Sequence, residues 1–80
     1  MPKFWKHALE RMYQRGITKE EIEEVYYGVH LKRKIDTGRY LIYGKSESGK
    51  YILIVIVKDE IITAREMTKK EKQLFKKKGK

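Results

Sequence analysis

The sequence predicts one small α+β domain with two N-terminal helices, a four-stranded, mainly antiparallel sheet and a C-terminal helix. Three observations support this fold class. Apolar residues recur at helical spacing in the first third of the chain. From residue 31 the pattern changes to short strands separated by Gly-containing turns, and a helix-start motif follows the last strand. At 80 residues, the chain fits a single domain with one modest core.

Two stripes of apolar residues predict the N-terminal helices. The first stripe follows the spacing i, i+3, i+4, i+7 and i+8 and comprises Trp5, Ala8, Leu9, Met12 and Tyr13. Gly16 is predicted to end this helix, and residues 18–21 form a capping box that starts the next one. The second stripe comprises Ile22, Val25, Tyr26 and Val29. The four Glu of the second helix are predicted to form a solvated face, and Gly28 is its predicted end.

Strands are predicted at residues 32–35, 39–45, 51–57 and 61–65, with turns at 36–38, 46–49 and 58–60. The third strand is apolar at every position, so we expect it at the centre of the sheet with both faces covered. A second capping box, at residues 68–71, starts a terminal helix whose main apolar anchors are Leu74 and Phe75. Residues 76–80 are predicted to be a disordered basic tail.

The charge of the chain points to a polyanionic partner. Lys and Arg total 20 against 11 Asp and Glu, which gives a net charge of +9. RNA is the predicted partner, ahead of an anionic membrane or an acidic protein. No spanning segment or signal peptide is recognisable, so a cytoplasmic location and no membrane association are expected. The lack of Cys argues against a structural zinc site, and no metal or cofactor is expected. Heavy use of Lys and Glu without Asn is typical of hot-adapted proteins.

Two stretches of the chain resemble known toxin families. Residues 7–17, HALERMYQRGI, resemble the opening of small uncharacterised domains related to the RelE/ParE toxins. Residues 61–71, IITAREMTKKE, resemble the end of BrnT toxins, where a strand closing in Ala-Arg leads into a Thr-capped helix. The strands around residues 38–51 extend the resemblance over nearly the whole chain. It implies a RelE-like fold, RNA cleavage in the bacterial or archaeal cytoplasm, and a cognate antitoxin protein as partner.

Metal-independent RNA cleavage defines the residue types that such a site needs. It requires a base for the ribose 2′-OH, an acid for the leaving oxygen and cations around the phosphorane. Arg65 is the first candidate, because it matches the Arg of the BrnT-type ending and its fork can clamp a phosphate. Glu66 and His7 are candidates for acid or base, and Arg39 for a phosphate contact. The structural alternatives are a surface ion pair at Arg65 and a His7 that packs on Trp5.

Other basic and aromatic residues are predicted to bind RNA without taking part in cleavage. Arg11 shares a polar ridge with His7, and Tyr43 and Lys45 share a strand face with Arg39. The Lys-rich end adds sequence-independent attraction to phosphates. The predicted RNA-binding residues are Arg11, Tyr43, Lys45, Lys69 and Lys70. A Tyr in a sheet is more often half-buried, and a Lys run is more often a solubilising tail.

Three functions are therefore compatible with the sequence. The first is a metal-independent endoribonuclease, the toxin component of a type II toxin–antitoxin system. The second is a non-catalytic RNA-binding module of the same fold, and the third is a domain that binds a protein partner without RNA. A homodimer is also open, because exposed aromatic residues can be covered by self-association. Catalysis would require His7 or Glu66 within hydrogen-bond reach of a phosphate held by Arg65 or Arg39.

Overall fold

The computed structural model describes residues 3–28 and 30–78. The elements are β1 (Lys3–Phe4), α1 (Ala8–Gln14), α2 (Lys19–Tyr27), β2 (His30–Asp36), β3 (Arg39–Lys45), β4 (Tyr51–Val57), β5 (Glu60–Glu66) and α3 (Lys69–Lys78). The strands form one sheet in the order β1-β5-β4-β3-β2. Neighbouring strands are antiparallel except for β1 and β5, which are parallel. The α+β class is confirmed. In the described ranges, no helix is long and apolar enough to cross a bilayer.

The sheet has five strands, whereas the sequence predicts four. The additional strand, β1, pairs with the start of β5, and the Trp5 N–H extends this pairing by donating to the Ile61 carbonyl at 2.9 Å. A strand of two residues is too short to show a period of two, so local pattern cannot reveal it. The same pairing keeps Trp5 outside α1, which begins at Ala8.

One face of the sheet, called here the helix face, is covered by α1 and α2. Ala8 and Met12 of α1 are fully buried. The predicted stripe is wrong for Leu9 and Tyr13, which are 41% and 81% exposed. A helix of seven residues contacts the sheet along only one narrow line. Leu9 and Tyr13 each follow a buried residue by one position, so their side chains are turned about 100° around the helix axis, away from that line. Val29, predicted to belong to the second stripe, lies outside the described residues.

The N-terminus of α2 is tied to the β3–β4 turn through a buried carboxylate. Glu21 is only 8% exposed, so the predicted solvated face of Glu residues is wrong at this position. Its carboxylate accepts hydrogen bonds from the Thr18 N–H at 2.9 Å, the Ser48 hydroxyl at 2.7 Å and the Lys50 ammonium at 3.3 Å. The Thr18 hydrogen bond is the main reason that the pKa of Glu21 is lowered, while burial acts in the opposite direction. The predicted capping box is thus confirmed and also joins two distant segments.

Strand β4 lies third among the five strands, and Ile52, Leu53 and Ile54 are buried, which confirms its predicted central place. On the second face, Leu74 and Phe75 of α3 pack near Tyr43, Leu53 and Met67. Helix α3 continues to residue 78, so the prediction of a disordered tail is wrong for residues 76–78. Basic residues in its last turn suit the negative end of the helix dipole. Residues 79–80 lie outside the described ranges.

Gly44 allows α2 to lie directly against β3. A Cβ atom at this position would lie 2.6 Å from Cγ1 of Val25. We expect Gly44→Ala to lower the free energy of unfolding by about 1–3 kcal/mol, the usual cost of overpacking a core. Chemical denaturation measures this change. In a double-mutant cycle with Val25→Ala, the clash should be relieved and the two losses should not add; additive losses would contradict the contact.

Candidate nucleic-acid interface

The second face of the sheet, called here the α3 face, carries the odd-numbered residues of β3 and β4. Its apolar cluster consists of Tyr43, Leu53 and Met67, with half-buried Leu74 and Phe75 packed against it from α3. None of the residues of α3, all of which the structure describes, is fully buried. Apolar contact alone therefore holds this helix weakly, and polar interactions contribute to its position.

An ion pair between Arg65 and Glu71 joins the end of β5 to the first turn of α3. The guanidinium donates two parallel hydrogen bonds, from Nη1 to Oε1 at 2.7 Å and from Nη2 to Oε2 at 2.8 Å. Glu71 also accepts from the Thr68 N–H at 2.8 Å, which completes the second predicted capping box. The Arg65 hydrogen bonds are the main reason that the pKa of Glu71 falls to about 2. Arg65 thus clamps α3 to the sheet.

Three lysines surround one tyrosine at the edge of this helix. The ammonium nitrogens of Lys45, Lys72 and Lys76 lie 5.3, 5.6 and 5.2 Å from the centroid of the Tyr51 ring. We call these four residues the Tyr51 cluster. Lys45 is the cross-strand partner of Tyr51, whereas Lys72 and Lys76 are one turn apart on α3. Sheet register and helix docking together assemble the cluster.

The Tyr51 cluster carries an uncompensated positive charge. Within residues 3–28 and 30–78, none of its three ammonium groups forms an ion pair with a carboxylate. No two of them can be more than about 11 Å apart, close to one Debye length at 0.1 M ionic strength, so they repel each other. Each exposed cation–π contact offsets only about 0.5–1 kcal/mol of this repulsion. An anion placed among the three lysines would stabilise the arrangement, which makes the cluster a candidate phosphate site.

Comparison with known proteins identifies the family of the chain. Residues 4–65 match the family described as Domain of unknown function (DUF4258). The chain belongs to this family. No curated protein and no solved structure matches the chain significantly. The matched segment includes Lys45 and Tyr51 but ends before α3, so the family match does not cover Lys72 and Lys76.

The candidate cleavage residues of this DUF4258 chain have separate partners. His7 packs edge-on against Trp5, with ring centroids 4.9 Å apart, and its Nδ1 is 3.8 Å from the Glu10 carboxylate. Arg39 pairs with Asp36 in the β2–β3 turn, with Nε 3.6 Å from Oδ1. The environment of His7 corresponds to its structural alternative, a ring that packs on Trp5. Among the described residues, neither His7 nor Arg39 forms a hydrogen bond with Arg65.

The sheet register also keeps these residues apart. Trp5, next to His7, hydrogen-bonds at Ile61, four residues or about 13 Å along β5 from Arg65. Arg39 pairs with Val57 at the far end of β3, whereas Arg65 lies opposite Leu53. Glu66 follows Arg65 in the strand alternation and therefore belongs to the helix face. The structure does not bring the four predicted catalytic residues into one site.

The predicted RNA-binding residues also divide between the two faces. Lys45 is part of the Tyr51 cluster, and Lys69 and Lys70 are exposed in the first turn of α3. Arg11 lies on the helix side, where its guanidinium is 5.4 Å from the Trp5 ring centroid. Tyr43 is only 3% exposed beneath α3, so its ring cannot stack on a base. Only the lysines lie together near one surface.

Sequence reasoning did not single out Tyr51, Lys72 and Lys76. Two local signals were present in the sequence. Lys72 and Lys76 are spaced i, i+4 and so share one helix face, and Tyr51 lies across the β3–β4 turn from Lys45. The missing information was which face of α3 packs on which face of the sheet. The contacts of Leu74 and Phe75 provide it.

The Arg65–Glu71 ion pair predicts a pH-dependent stability. The pKa of Glu71 in the folded chain is about 2, below its ordinary value of 4.5. A carboxyl group whose pKa is depressed by folding stabilises the fold above its unfolded pKa, and this contribution is lost as the pH falls through the folded value. Glu71→Gln should therefore lower the melting temperature at pH 7, and its difference from wild type should shrink between about pH 4.5 and 2.

Circular dichroism melting curves across this pH range measure the effect. Glu47→Gln is the matched control, because Glu47 is exposed in the β3–β4 turn and its carboxylate forms no ion pair in residues 3–28 and 30–78. The control should differ little from wild type at any pH. A loss at Glu71→Gln that stays constant down to pH 2 would contradict the role of the ionised pair.

Proposed function

We propose that this protein binds RNA through the Tyr51 cluster and the neighbouring lysines of α3, without cleaving it. The observation that carries the proposal is the convergence of three ammonium groups on one aromatic ring, with no carboxylate partner among the described residues. Phosphate groups are the ligands that relieve such a concentration of charge, and lysine contacts add affinity by releasing counterions.

The surroundings of the cluster favour an extended polyanion over a single small anion. Further lysines follow along α3 at Lys69, Lys70, Lys77 and Lys78, all exposed. The one acidic residue of α3, Glu71, is neutralised by Arg65. An aromatic ring flanked by cations suits a single strand, in which unstacked bases and phosphates alternate. The resemblance of the sequence to the RelE/ParE and BrnT toxins supports RNA as this strand.

Binding is favoured over cleavage because the residues expected to cleave RNA have other partners. The guanidinium fork of Arg65 is occupied by Glu71, and His7 packs against Trp5 on the helix side. General acid–base catalysis needs these groups within hydrogen-bond reach of the same phosphate. The toxin endoribonuclease stays a prediction from the resemblance, and the same experiment tests it.

The test compares two triple variants of equal charge. Lys45→Gln, Lys72→Gln and Lys76→Gln together remove the cluster cations, whereas Lys3→Gln, Lys6→Gln and Lys19→Gln remove three exposed lysines elsewhere. Both sets lower the net charge by three from +9. Fluorescence anisotropy with a labelled single-stranded RNA of twelve nucleotides measures affinity against salt. The cluster variant should bind about tenfold more weakly at 0.1 M salt. The slope of log binding constant against log salt concentration should decrease by about 2 in magnitude, because each of the three phosphate contacts contributes about 0.7.

The control variant should lose much less affinity, since long-range charge alone acts weakly at this salt. Equal losses of affinity in both variants would show that the cluster lysines act only through the net charge of the protein, which would contradict the proposal. Absence of salt-dependent binding by wild type would favour a protein partner instead. The RNA should remain intact on a denaturing gel. Cleavage by wild type that is lost in Arg65→Ala and His7→Ala would establish the endoribonuclease.

A further inference from the structure

A concave site lies on the helix face, on the other side of the sheet from the Tyr51 cluster. It is a half-open pocket of about 300 Å³ between the end of α2 and strands β2, β3 and β4. Ile42 and Ile56 form its apolar floor. We call it the His30 pocket, and its polar lining consists of Tyr26, His30, Lys32, Tyr40 and Asp59. None of these residues belongs to the proposed RNA surface.

Two of the polar groups of the pocket are fixed by the protein itself. The His30 Nδ1 lies 2.9 Å from the Gly28 carbonyl, which can only accept, so this nitrogen carries the hydrogen. In the neutral ring, Nε2 is then the acceptor. The Lys32 ammonium lies 4.3 Å from the Tyr40 ring centroid. A histidine acceptor and a lysine donor therefore have defined positions at the same opening.

Lys32 and Asp59 line the same pocket without pairing. Neither forms an ion pair with any group in residues 3–28 and 30–78. A cation and a carboxylate left apart in one concave site can each contact a different part of a ligand. The suitable ligand therefore has hydrogen-bond donors on one edge, acceptors nearby and a flat body that can contact the tyrosines of the lining.

The turn that carries Asp59 is strained. Lys58 and Asp59 have φ angles of 50° and 67°, in the left-handed region that two-residue hairpin turns require and that favours Gly and Asn. The Lys58 N–H donates to the Gly38 carbonyl at 2.7 Å and holds the turn against the β2–β3 turn. Glycine at position 59 would relieve strain but would remove the carboxylate from the pocket. The turn therefore fixes the backbone that carries the Asp59 carboxylate at the pocket.

We propose that the His30 pocket binds the base of a guanine nucleotide. Guanine presents two adjacent donors, N1–H and N2–H, that match the two oxygens of the Asp59 carboxylate. Its O6 and N7 acceptors suit the Lys32 ammonium. The flat ring fits beside Tyr26 and Tyr40, and a ribose hydroxyl can donate to Nε2 of His30. The pocket volume, at the small end of ligand sites, suffices for one base with its ribose.

The other bases match this lining less well. Adenine and cytosine each offer one exocyclic amine beside a ring acceptor, so one carboxylate oxygen would face a lone pair. Uracil has a single N–H between two carbonyl acceptors. A carboxylate paired to two adjacent donors discriminates by about 1–3 kcal/mol, which corresponds to roughly 5- to 150-fold in affinity. The pocket should therefore prefer guanine.

The experiment titrates the ¹⁵N-labelled protein with GMP, AMP, CMP and UMP and follows backbone amide shifts. GMP should shift the amides around His30, Tyr40 and Asp59 and bind about tenfold more tightly than the other three nucleotides. Asp59→Asn should remove this preference. Asn tolerates the left-handed conformation, so the turn is retained while one acceptor is replaced by a donor. Lys32→Met should weaken GMP binding as well.

Lys72→Gln separates the pocket from the proposed RNA surface. This variant should leave GMP binding unchanged while it weakens RNA binding. Equal affinity for the four nucleotides, GMP affinity unchanged in Asp59→Asn, or no shift at the pocket would overturn the proposal. Shifts confined to the Tyr51 cluster and lost in Lys72→Gln would overturn it too, because they would reflect phosphate binding alone. None of these outcomes depends on whether the protein binds long RNA.

Discussion

The structure depends on covering β4, whose side chains are apolar on both faces of the sheet. Ile52 and Ile54 lie under α1 and α2, and Leu53 lies on the opposite face. Burying each of these side chains contributes about 1.5–3 kcal/mol, so neither face can be left open in so small a domain. The two N-terminal helices occupy one face. In the described part of the chain, only α3 remains to cover the other.

The composition of α3 is poorly suited to covering an apolar face, so polar contacts are needed to hold the helix there. It has two good apolar anchors, Leu74 and Phe75, in a sequence otherwise dominated by lysine. The bidentate Arg65–Glu71 pair and the capping box fix its first turn to β5. The aliphatic stems of lysine can lie along apolar surface while the ammonium groups stay in water. Because α3 packs on the core, its lysines lie on the α3 face of the sheet, and the candidate site is a consequence of this packing.

Local signals in the sequence predicted the parts of the fold that depend on local pattern. The bounds of β3 and β4 were predicted from alternation, an apolar run and the turns around them, and both capping boxes form. The edge strand β1 and the burial of Glu21 were not predicted, because each depends on a partner far along the chain. The same reason applies to the site. Arg65 lies in the predicted last strand, but its guanidinium fork is occupied by Glu71 of α3.

The uneven distribution of charge favours different ligands on the two faces. Four of the eleven acidic residues belong to α2 on the helix face, whereas α3 has only Glu71, which Arg65 neutralises. The field of the molecule therefore attracts a long polyanion to the α3 face and opposes its approach over α2. A single nucleotide carries far less charge than a strand and meets a smaller barrier. The His30 pocket beside α2 is thus better placed to receive a free nucleotide than a base within the strand that we propose for the Tyr51 cluster.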